Sequence, residues 1–268
     1  MLKAPTAYQG GKARLAETIV KHLIEAATQT THFYDLCCGS GAITIELLTQ
    51  GISPNKITVC DAGPWGLFWK EVGSGKFDLT LFKEMLKELP SLSEIQSYMK
   101  QLAKRPSDTA TTQTFLLLQA ASFGSKPIWI ENNQWKNCSF RSYWQPTPTS
   151  NRKSPVNPMM PLPNTLLKRV ELLCNAARGI TGLHTDIINV GPPKDSIVYI
   201  DPPYKGTTPY GHTVDVVSYA TSLGVTCFVS EGIPLSTNSV CLSAPRAKGG
   251  INGKKKIAAN QEWLSRFP

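Results

Sequence analysis

A strand, a glycine-rich turn, a helix and a second strand follow one another early in the chain, and this unit most restricts the possible fold. Residues 32–36 predict a strand, and the sequence Cys-Cys-Gly-Ser-Gly at residues 37–41 follows it directly. Residues 42–49 predict a helix, and residues 56–61 predict the next strand. Together they form a βαβ unit of about 30 residues, which predicts an α/β sheet domain.

Helical, strand-like and loop-like patterns continue along the remaining chain. Further helices are predicted at residues 13–27, 77–89, 92–104, 109–123, 165–177 and 212–222. Further strands are predicted at residues 186–190, 197–200 and 225–229, with a hairpin over residues 238–258. Residues 145–163 hold six prolines and indicate a loop. Strands and helices alternate at both ends, so we expect an α/β sheet domain interrupted by a helical and irregular insertion.

The positive charge of the chain lies mainly in two segments. Lys and Arg total 28 against 19 Asp and Glu, a formal net charge of +9. Residues 125–179 hold eight basic and two acidic residues, and residues 241–268 hold six and one. Three of the six tryptophans lie in the first segment, and cations beside flat rings suit a phosphate backbone with exposed bases. The alternative is a Trp-rich subdomain core with an ordinary basic rim.

Cysteine and histidine usage argues against structural disulfides and zinc. The seven cysteines form no Cys-x-x-Cys pair, and the four histidines lack metal-ligand spacing.

No stretch of about 18 uncharged apolar residues is present, and the N-terminus lacks the apolar core of a signal peptide. We therefore expect a cytoplasmic protein with reduced thiols, no metal and no membrane association.

The glycine-rich turn presents backbone N–H groups at a helix N-terminus, where a ligand can approach closely. It lacks the Lys-Ser/Thr ending of a phosphate loop and the third glycine of an NAD-type dehydrogenase. Asp61 lies 20 residues after Gly41 at the end of the second strand. An acid at that distance can hold ribose hydroxyls, although a turn residue or helix cap is an equal alternative.

The sequence Asp-Pro-Pro-Tyr at residues 201–204 follows the strand predicted at 197–200. Two prolines fix φ and remove two N–H donors, so the neighbouring carbonyls stay free and rigidly aimed. Asp201 and the Pro202 carbonyl can accept the N–H groups of a planar heteroaromatic amine, while Tyr204 stacks on its ring. A rigid turn after a core strand is the alternative.

In this order, Tyr-Gln-Gly-Gly-Lys at residues 8–12, the glycine-rich turn and Asp-Pro-Pro-Tyr resemble the amino-methyltransferases of DNA. The resemblance is to the adenine-N6 group related to the Dam enzyme and its phage counterparts, and it covers about residues 1–65 and 164–235. It implies a Rossmann-like class I methyltransferase sheet with S-adenosylmethionine as methyl donor. No covalent intermediate or metal is required.

The resemblance assigns roles to individual residues. Residues implied to bind S-adenosylmethionine are Tyr8, Gln9, Gly10, Gly11, Lys12, Asp35, Cys37, Gly39, Ser40, Gly41, Asp61, Asp186 and Asp201. Residues implied to hold a flipped-out adenine and carry the reaction are Asp201, Pro202, Pro203 and Tyr204. The family often has Phe where Cys37 stands. Asp186 is expected on the strand before the tetrapeptide, near the adenine of the cofactor.

The same resemblance predicts the domain division and the partners. Residues 1–65 and 164–268 would form the catalytic domain, and residues 66–163 an inserted target-recognition domain. The basic segments would form the banks of a channel for double-stranded DNA. The implied DNA contacts are Lys126, Lys136, Arg141, Arg152, Lys153, Arg246, Lys248, Lys254, Lys255 and Lys256. A restriction-modification system would add a cognate restriction nuclease as a partner.

Three alternatives remain open from the sequence. RNA-base methyltransferases also carry Asp-Pro-Pro-Tyr, although the Gly-Gly-Lys opening and the large insertion favour DNA. Cytosine-N4 enzymes more often begin the tetrapeptide with Ser. A non-catalytic nucleic-acid-binding module on a decayed methyltransferase fold is the third alternative, and the intact tetrapeptide argues against it.

Overall fold

A seven-stranded sheet lies at the centre of the computed structural model, which describes residues 1–90, 94–107, 110–141, 161–203, 214–243, 248–249, 255–256 and 261–268. The strands are β1 His32–Leu36, β2 Ile57–Asp61, β3 Trp129–Glu131, β4 Gln134–Lys136, β5 Thr181–His184, β6 Ser196–Ile200, β7 Thr226–Glu231, β8 Ser239–Ser243, β9 Lys248–Gly249, β10 Lys255–Lys256 and β11 Glu262–Phe267. The helices are α1 Ala16–Glu25, α2 Ala42–Thr49, α3 Pro64–Ser74, α4 Leu79–Lys87, α5 Ile95–Leu102, α6 Thr111–Ala121, α7 Pro163–Ala176 and α8 Val216–Ser222. Short 3₁₀ helices span Pro54–Lys56, Phe123–Ser125 and Ile187–Asn189.

The sheet is mostly parallel and has the order β5-β2-β1-β6-β7-β11-β8. Strands β5, β2, β1, β6 and β7 are parallel, and β11 runs antiparallel to both β7 and β8. The five parallel strands follow the 3-2-1-4-5 order of a doubly wound fold. The expected α/β class is confirmed, and the sheet is compatible with a Rossmann-like fold. The class I methyltransferase sheet and the inserted target-recognition domain stay predictions.

Alternate residues of the central strands bury opposite faces of the sheet. Phe33, Val59 and Tyr199 lie in the larger core together with apolar side chains of α1 to α7. Leu36 and Ile200 face the other way, into a smaller core that includes Ala220 of α8. Both faces are therefore apolar, as a parallel sheet with covered faces requires.

The strand expected at residues 186–190 is wrong. The edge strand β5 ends at His184, and Asp186 instead caps the following 3₁₀ helix, where its carboxylate accepts a hydrogen bond from the backbone N–H of Ile188 at 3.2 Å. Ile187 is buried, whereas Ile188 is 62% exposed. The two adjacent isoleucines resemble a strand in sequence, but only one of them packs on the sheet.

Helix α3 packs closely on β2 and β5 through glycines. A Cβ atom at Gly182 would lie 2.3 Å from the backbone nitrogen of Lys70, and one at Gly66 would lie 2.1 Å from the carbonyl oxygen of Asp61. The domain boundary expected between residues 65 and 66 falls inside α3, and one continuous core includes side chains from both sides of it. The division into two domains stays a prediction.

The segment after α3 consists of α4, α5 and α6, at the positions where helices are expected, followed by the hairpin β3–β4. Trp135 and Phe140 are buried, and the Trp135 ring stacks on Phe115 of α6 with centroids 6.4 Å apart. These two aromatic side chains therefore belong to a local core, and they are covered by protein rather than open to bases.

The C-terminal strands differ from the expected hairpin over residues 238–258. Strand β8 pairs with β11, for example Ser239 with Ser265, while β9 and β10 form a separate pair. The long connection between β8 and β11 thus contains its own short ladder. Among the described helices, none combines the length and apolar character that crossing a membrane requires.

Candidate active site

The candidate site lies where β1 and β6 end side by side. The order of the parallel strands reverses between these two neighbours, and in open α/β sheets ligands bind in the crevice at such a point. The backbone N–H of Asp201 donates to the carbonyl oxygen of Leu36 at 3.2 Å. The glycine-rich turn after β1 and the Asp-Pro-Pro segment after β6 therefore share one edge of the sheet.

The glycine-rich turn needs its glycines for two different reasons. Gly39 and Gly41 have φ of +49° and +77°, in the left-handed region that favours glycine. A Cβ atom at Gly41 would lie 2.0 Å from Cζ2 of Trp69, whose indole N–H donates to the carbonyl oxygen of Gly39 at 3.1 Å. A Cβ atom at Gly39 would lie 3.0 Å from the ring of Tyr8. The turn is thus held between α3 and the N-terminal motif.

The other members of the turn are partly or fully enclosed. Cys37 also has a positive φ, of +59°, although it is not a glycine. Burial raises the pKa of the Cys37 thiol well above its ordinary value, so this group stays protonated at neutral pH. Ser40 is buried. The turn therefore offers mainly its backbone to a ligand.

Asp61 connects the end of β2 to the glycine-rich turn. Its Oδ2 atom accepts the backbone N–H of Gly39 at 2.9 Å, and its Oδ1 atom accepts that of Gly63 at 2.8 Å. Burial raises the pKa of Asp61, while these two hydrogen bonds oppose the rise. Each carboxylate oxygen can accept a further hydrogen bond, so Asp61 can also hold hydroxyl groups.

Asp35 lies behind the turn and is only 1% exposed. Its Oδ2 atom accepts both the backbone N–H of Thr44, at 3.1 Å, and the Thr44 hydroxyl, at 2.6 Å. Burial raises the pKa of Asp35 to about 7 against the effect of these bonds. The carboxylate satisfies an unpaired N–H group in the first turn of α2, so it anchors the helix that carries the glycine turn. Direct contact between Asp35 and a cofactor stays a prediction.

Lys12 of the N-terminal motif pairs with Asp201. The ammonium Nζ lies 2.6 Å from Oδ1 of Asp201, 3.7 Å from Oε1 of Glu262, and donates to the carbonyl oxygen of Gly10 at 3.1 Å. Lys12 is 7% exposed and Asp201 is 19% exposed. Burial raises the pKa of Asp201 to about 6. The positive charge of Lys12 lowers this pKa, and the negative charges of Glu262 and Glu231 raise it. Asp201 is therefore ionised at neutral pH.

The N-terminal motif is also tied to the segment after α6. The backbone N–H of Gln9 donates to the carbonyl oxygen of Ser125 at 2.8 Å, and Gly11 closes a turn onto Tyr8 at 3.1 Å. The Arg141 guanidinium donates to the carbonyl oxygen of Ser122, at the start of the same turn, at 3.1 Å. Basic residues of the first positive segment therefore lie close to the motif that carries Lys12.

Three residues of the site were not foreseen from the sequence. Trp69 braces the glycine turn, Thr44 partners Asp35, and Glu262 lies beside Lys12. The first two belong to helix faces that look like ordinary core in sequence. Glu262 is the first residue of β11. Its position near the site would follow from the sequence only if the last strand were predicted to run antiparallel to its neighbours.

The structure places the predicted site residues in different surroundings. Tyr8, Lys12, Asp35, the glycine turn, Asp61 and Asp201 meet at the switch point, whereas Asp186 follows the edge strand β5. Pro202 is buried and Pro203 is exposed. Outside the described residues lie Tyr204, Arg152, Lys153, Arg246 and Lys254. Only the backbone is described for Lys248, Lys255 and Lys256.

The described basic residues differ in their surroundings. Lys126 is exposed, next to the turn that binds Gln9. Lys136 lies 4.0 Å from Glu131 and donates to the side chain of Gln134 at 3.2 Å. Lys126 is therefore the better placed of the two to meet a phosphate.

Comparison with known proteins adds no family to these observations. No protein-family model matches the chain, and no curated protein matches it. Within the described part of the chain, no group of three or more His, Cys, Asp and Glu side chains is arranged to hold a metal ion. The function is therefore inferred from the geometry of the switch point.

Proposed function

We propose that the protein is an S-adenosylmethionine-dependent methyltransferase that methylates the exocyclic N6 amine of a flipped-out adenine in DNA. The observation that carries the proposal is the position of Asp201, a mostly buried carboxylate followed by two prolines at the switch point, beside the glycine turn. A carboxylate and a fixed carbonyl next to a cofactor crevice suit an amine substrate.

The residues present fit S-adenosylmethionine. Carboxylates of Asp61, Asp201, Glu231 and Glu262 gather at this edge of the sheet, with Lys12 between two of them. A site with this excess of negative charge attracts a cationic ligand. Asp61 would hold ribose hydroxyls while the turn presents its backbone. When bound, S-adenosylmethionine would supply a methyl group on a positively charged sulfur.

The sheet supports a methyltransferase over a dinucleotide-dependent dehydrogenase. In the dehydrogenase sheet a sixth parallel strand lies directly beside the fifth. Here the antiparallel strand β11 is inserted between β7 and β8, and it carries an acid to the site. The glycine turn also lacks the third glycine of the dinucleotide fingerprint. We therefore expect a class I methyltransferase sheet.

For this reaction the protein must bind and orient an amine that is only weakly nucleophilic. A base inside a duplex cannot reach the crevice, so the target adenine must leave the stack at a cost of a few kcal/mol. Asp201 and the Pro202 carbonyl would accept the two N–H groups of the amine, and Tyr204 would stack on the ring. The amine nitrogen would gain the methyl carbon as the C–S bond breaks with its electron pair going to sulfur. It would release one proton, which the ionised Asp201 could accept.

DNA contact is supported by the charge near the N-terminal motif. Exposed Lys126 follows Ser125, whose carbonyl oxygen accepts the N–H of Gln9. A phosphate bound at Lys126 would therefore lie close to the loop that carries Lys12. The remaining basic segment, residues 241–268, would supply the opposite bank of the channel.

The experiment offers the protein labelled S-adenosylmethionine with unmethylated double-stranded DNA, or with total RNA. The product is digested and the methylated nucleoside is identified by mass spectrometry. We expect N6-methyladenine from the DNA. N4-methylcytosine or a methylated RNA base would replace the proposed substrate, and failure to bind S-adenosylmethionine in calorimetry would contradict methyl transfer altogether.

A further inference from the structure

The Lys12 ammonium lies between carboxylates that come from different strands. Nζ is 2.6 Å from Oδ1 of Asp201 at the end of β6, and 3.7 Å from Oε1 of Glu262 at the start of β11. The side chain of Lys12 is 7% exposed. An enclosed charge needs a counter-ion, because burying it unpaired is costly. Lys12 can therefore release Asp201 only if another acceptor is at hand.

Glu262 reaches this position because β11 runs against the parallel strands. The first residue of an antiparallel strand lies at the edge where its parallel neighbours end, and Glu262 is the first residue of β11. The pairing with β8 shifts register between Glu262 and Trp263. Such an irregularity re-aims a side chain. Glu262 is 15% exposed, so most of its side chain is enclosed in the site.

In the proposed reaction, Lys12 and the substrate amine compete for the carboxylate of Asp201. Asp201 is asked to accept an N–H of the amine, yet its Oδ1 atom already holds an ammonium at 2.6 Å. A hydrogen bond to a carboxylate is strong because the acceptor is negatively charged. A close cation offsets that charge, so the carboxylate accepts a neutral N–H less strongly. The pair has to loosen before the amine can be held well.

The other titratable groups that face Asp201 already have partners of their own. Glu231 accepts the backbone N–H of Gly232 at 2.8 Å. The Tyr199 hydroxyl pairs with Ser230 at 2.8 Å, and Asp35 is occupied by Thr44. Among the described residues, the carboxylates within ion-pair distance of Lys12 are those of Asp201 and Glu262.

We propose that Glu262 is a positioning residue that takes over the Lys12 ammonium when the amine of the target base binds Asp201. This inference rests on the proposed function. A displacement of about 1 Å brings Nζ from 3.7 Å into hydrogen-bond distance of Oε1. The Gly10 carbonyl, at 3.1 Å, holds the ammonium during the exchange.

The pairing is tested without any methyl transfer, by acetylation of Lys12 with acetic anhydride at fixed pH. Peptide mass spectrometry follows the rate in the wild type, Asp201→Asn, Glu262→Gln and the double variant. We expect each single variant to label within threefold of the wild type and the double variant to label at least tenfold faster. An ammonium that has lost both carboxylates gives up its proton more readily.

Lys83 and Glu231 provide the controls for this measurement. Lys83, which pairs with Glu171 at 2.9 Å elsewhere, serves as internal reference for labelling. Asp201→Asn combined with Glu231→Gln removes an equal charge from the same edge and should label like Asp201→Asn alone. A double Asp201/Glu262 variant that labels no faster than Asp201→Asn would overturn the inference.

Methylation kinetics supply the second readout. Glu262→Gln is expected to lower kcat at least tenfold while KM for S-adenosylmethionine and for DNA stays within threefold. The acidic limb of the pH profile should also move to lower pH, because Glu262 raises the pKa of Asp201. An unchanged kcat and an unmoved limb would overturn the role of Glu262 alone. A wild type that labels as expected but methylates no nucleic acid would contradict the proposed function instead.

Discussion

The backbone N–H of Asp201 donates a hydrogen bond to the carbonyl oxygen of Leu36, and this bond joins the ends of β1 and β6. The two strands are far apart in sequence but adjacent in the sheet, because β6 adds to β1 on the side opposite β2. The glycine turn and the Asp-Pro-Pro segment therefore meet. The crevice between them is the place where a doubly wound sheet binds its ligand.

Alanine substitutions at Gly41 and Gly51 distinguish the cost of steric crowding from the cost of backbone strain. Both have positive φ, of +77° and +85°. A Cβ atom at Gly41 would lie 2.0 Å from the Trp69 ring, whereas a Cβ atom at Gly51 would meet no atom of the described residues within 4 Å. Gly51→Ala should cost about 1 kcal/mol of unfolding free energy. Gly41→Ala should cost about 2–4 kcal/mol and weaken S-adenosylmethionine binding at least tenfold. Chemical denaturation and calorimetry measure both effects, and equal costs would show that Trp69 does not confine the turn.

Asp61→Asn should weaken S-adenosylmethionine binding at least tenfold. The two oxygens of Asp61 accept different backbone N–H groups, those of Gly39 and Gly63. An amide has one acceptor oxygen, so its NH₂ group would face an N–H donor and the turn would shift. The expected loss of unfolding free energy is about 1–3 kcal/mol. Cofactor affinity equal to that of the wild type would remove Asp61 from the site.

Local sequence patterns predict part of the candidate site, and long-range strand order decides the rest. The βαβ unit and both motifs are local, so the α/β class and the position of the acids at the ends of β1, β2 and β6 follow from spacing. Glu262 could not be foreseen, because its position depends on the antiparallel insertion of β11 between β7 and β8. The strand predicted to include Asp186 is wrong, because Ile187 and Ile188 look alike in sequence although only Ile187 packs on the sheet.

Asp35→Asn should change how stability depends on pH. Both donors of Thr44 reach the same oxygen of Asp35, so an Asn carbonyl there can keep both bonds. Burial raises the pKa of Asp35 to about 7, so the folded protein binds a proton that the unfolded chain releases near pH 4. Stability from this group is present at low pH and is lost as pH rises from about 4 to about 7.

The measurement for Asp35 is the unfolding free energy of both proteins at several pH values. Between pH 4 and pH 7 the wild type should lose on the order of 3 kcal/mol relative to Asp35→Asn. Parallel pH curves for the two proteins would contradict a protonated Asp35 in the folded state.

Lys126→Ala should weaken DNA binding uniformly across sequences and reduce its salt dependence. Lys126 is exposed beside the turn that binds Gln9. Loss of one phosphate contact lowers the slope of log affinity against log salt by about 0.9. Lys83→Ala, which removes a lysine paired with Glu171, should leave the slope unchanged. Fluorescence titrations at several salt concentrations measure the slopes, and identical slopes for wild type and Lys126→Ala would exclude this contact.

The role of Asp201 as acceptor of the base amine is tested most directly by methyl transfer to DNA in Asp201→Ala, beside Asp195→Ala as a matched loss of an acid outside the site. Calorimetry first establishes that both variants bind S-adenosylmethionine within about fivefold of the wild type, as expected if Asp201 mainly serves the amine. The account predicts N6-methyladenine from the wild type and from Asp195→Ala, and none above background from Asp201→Ala. Near-normal methylation by Asp201→Ala would contradict it.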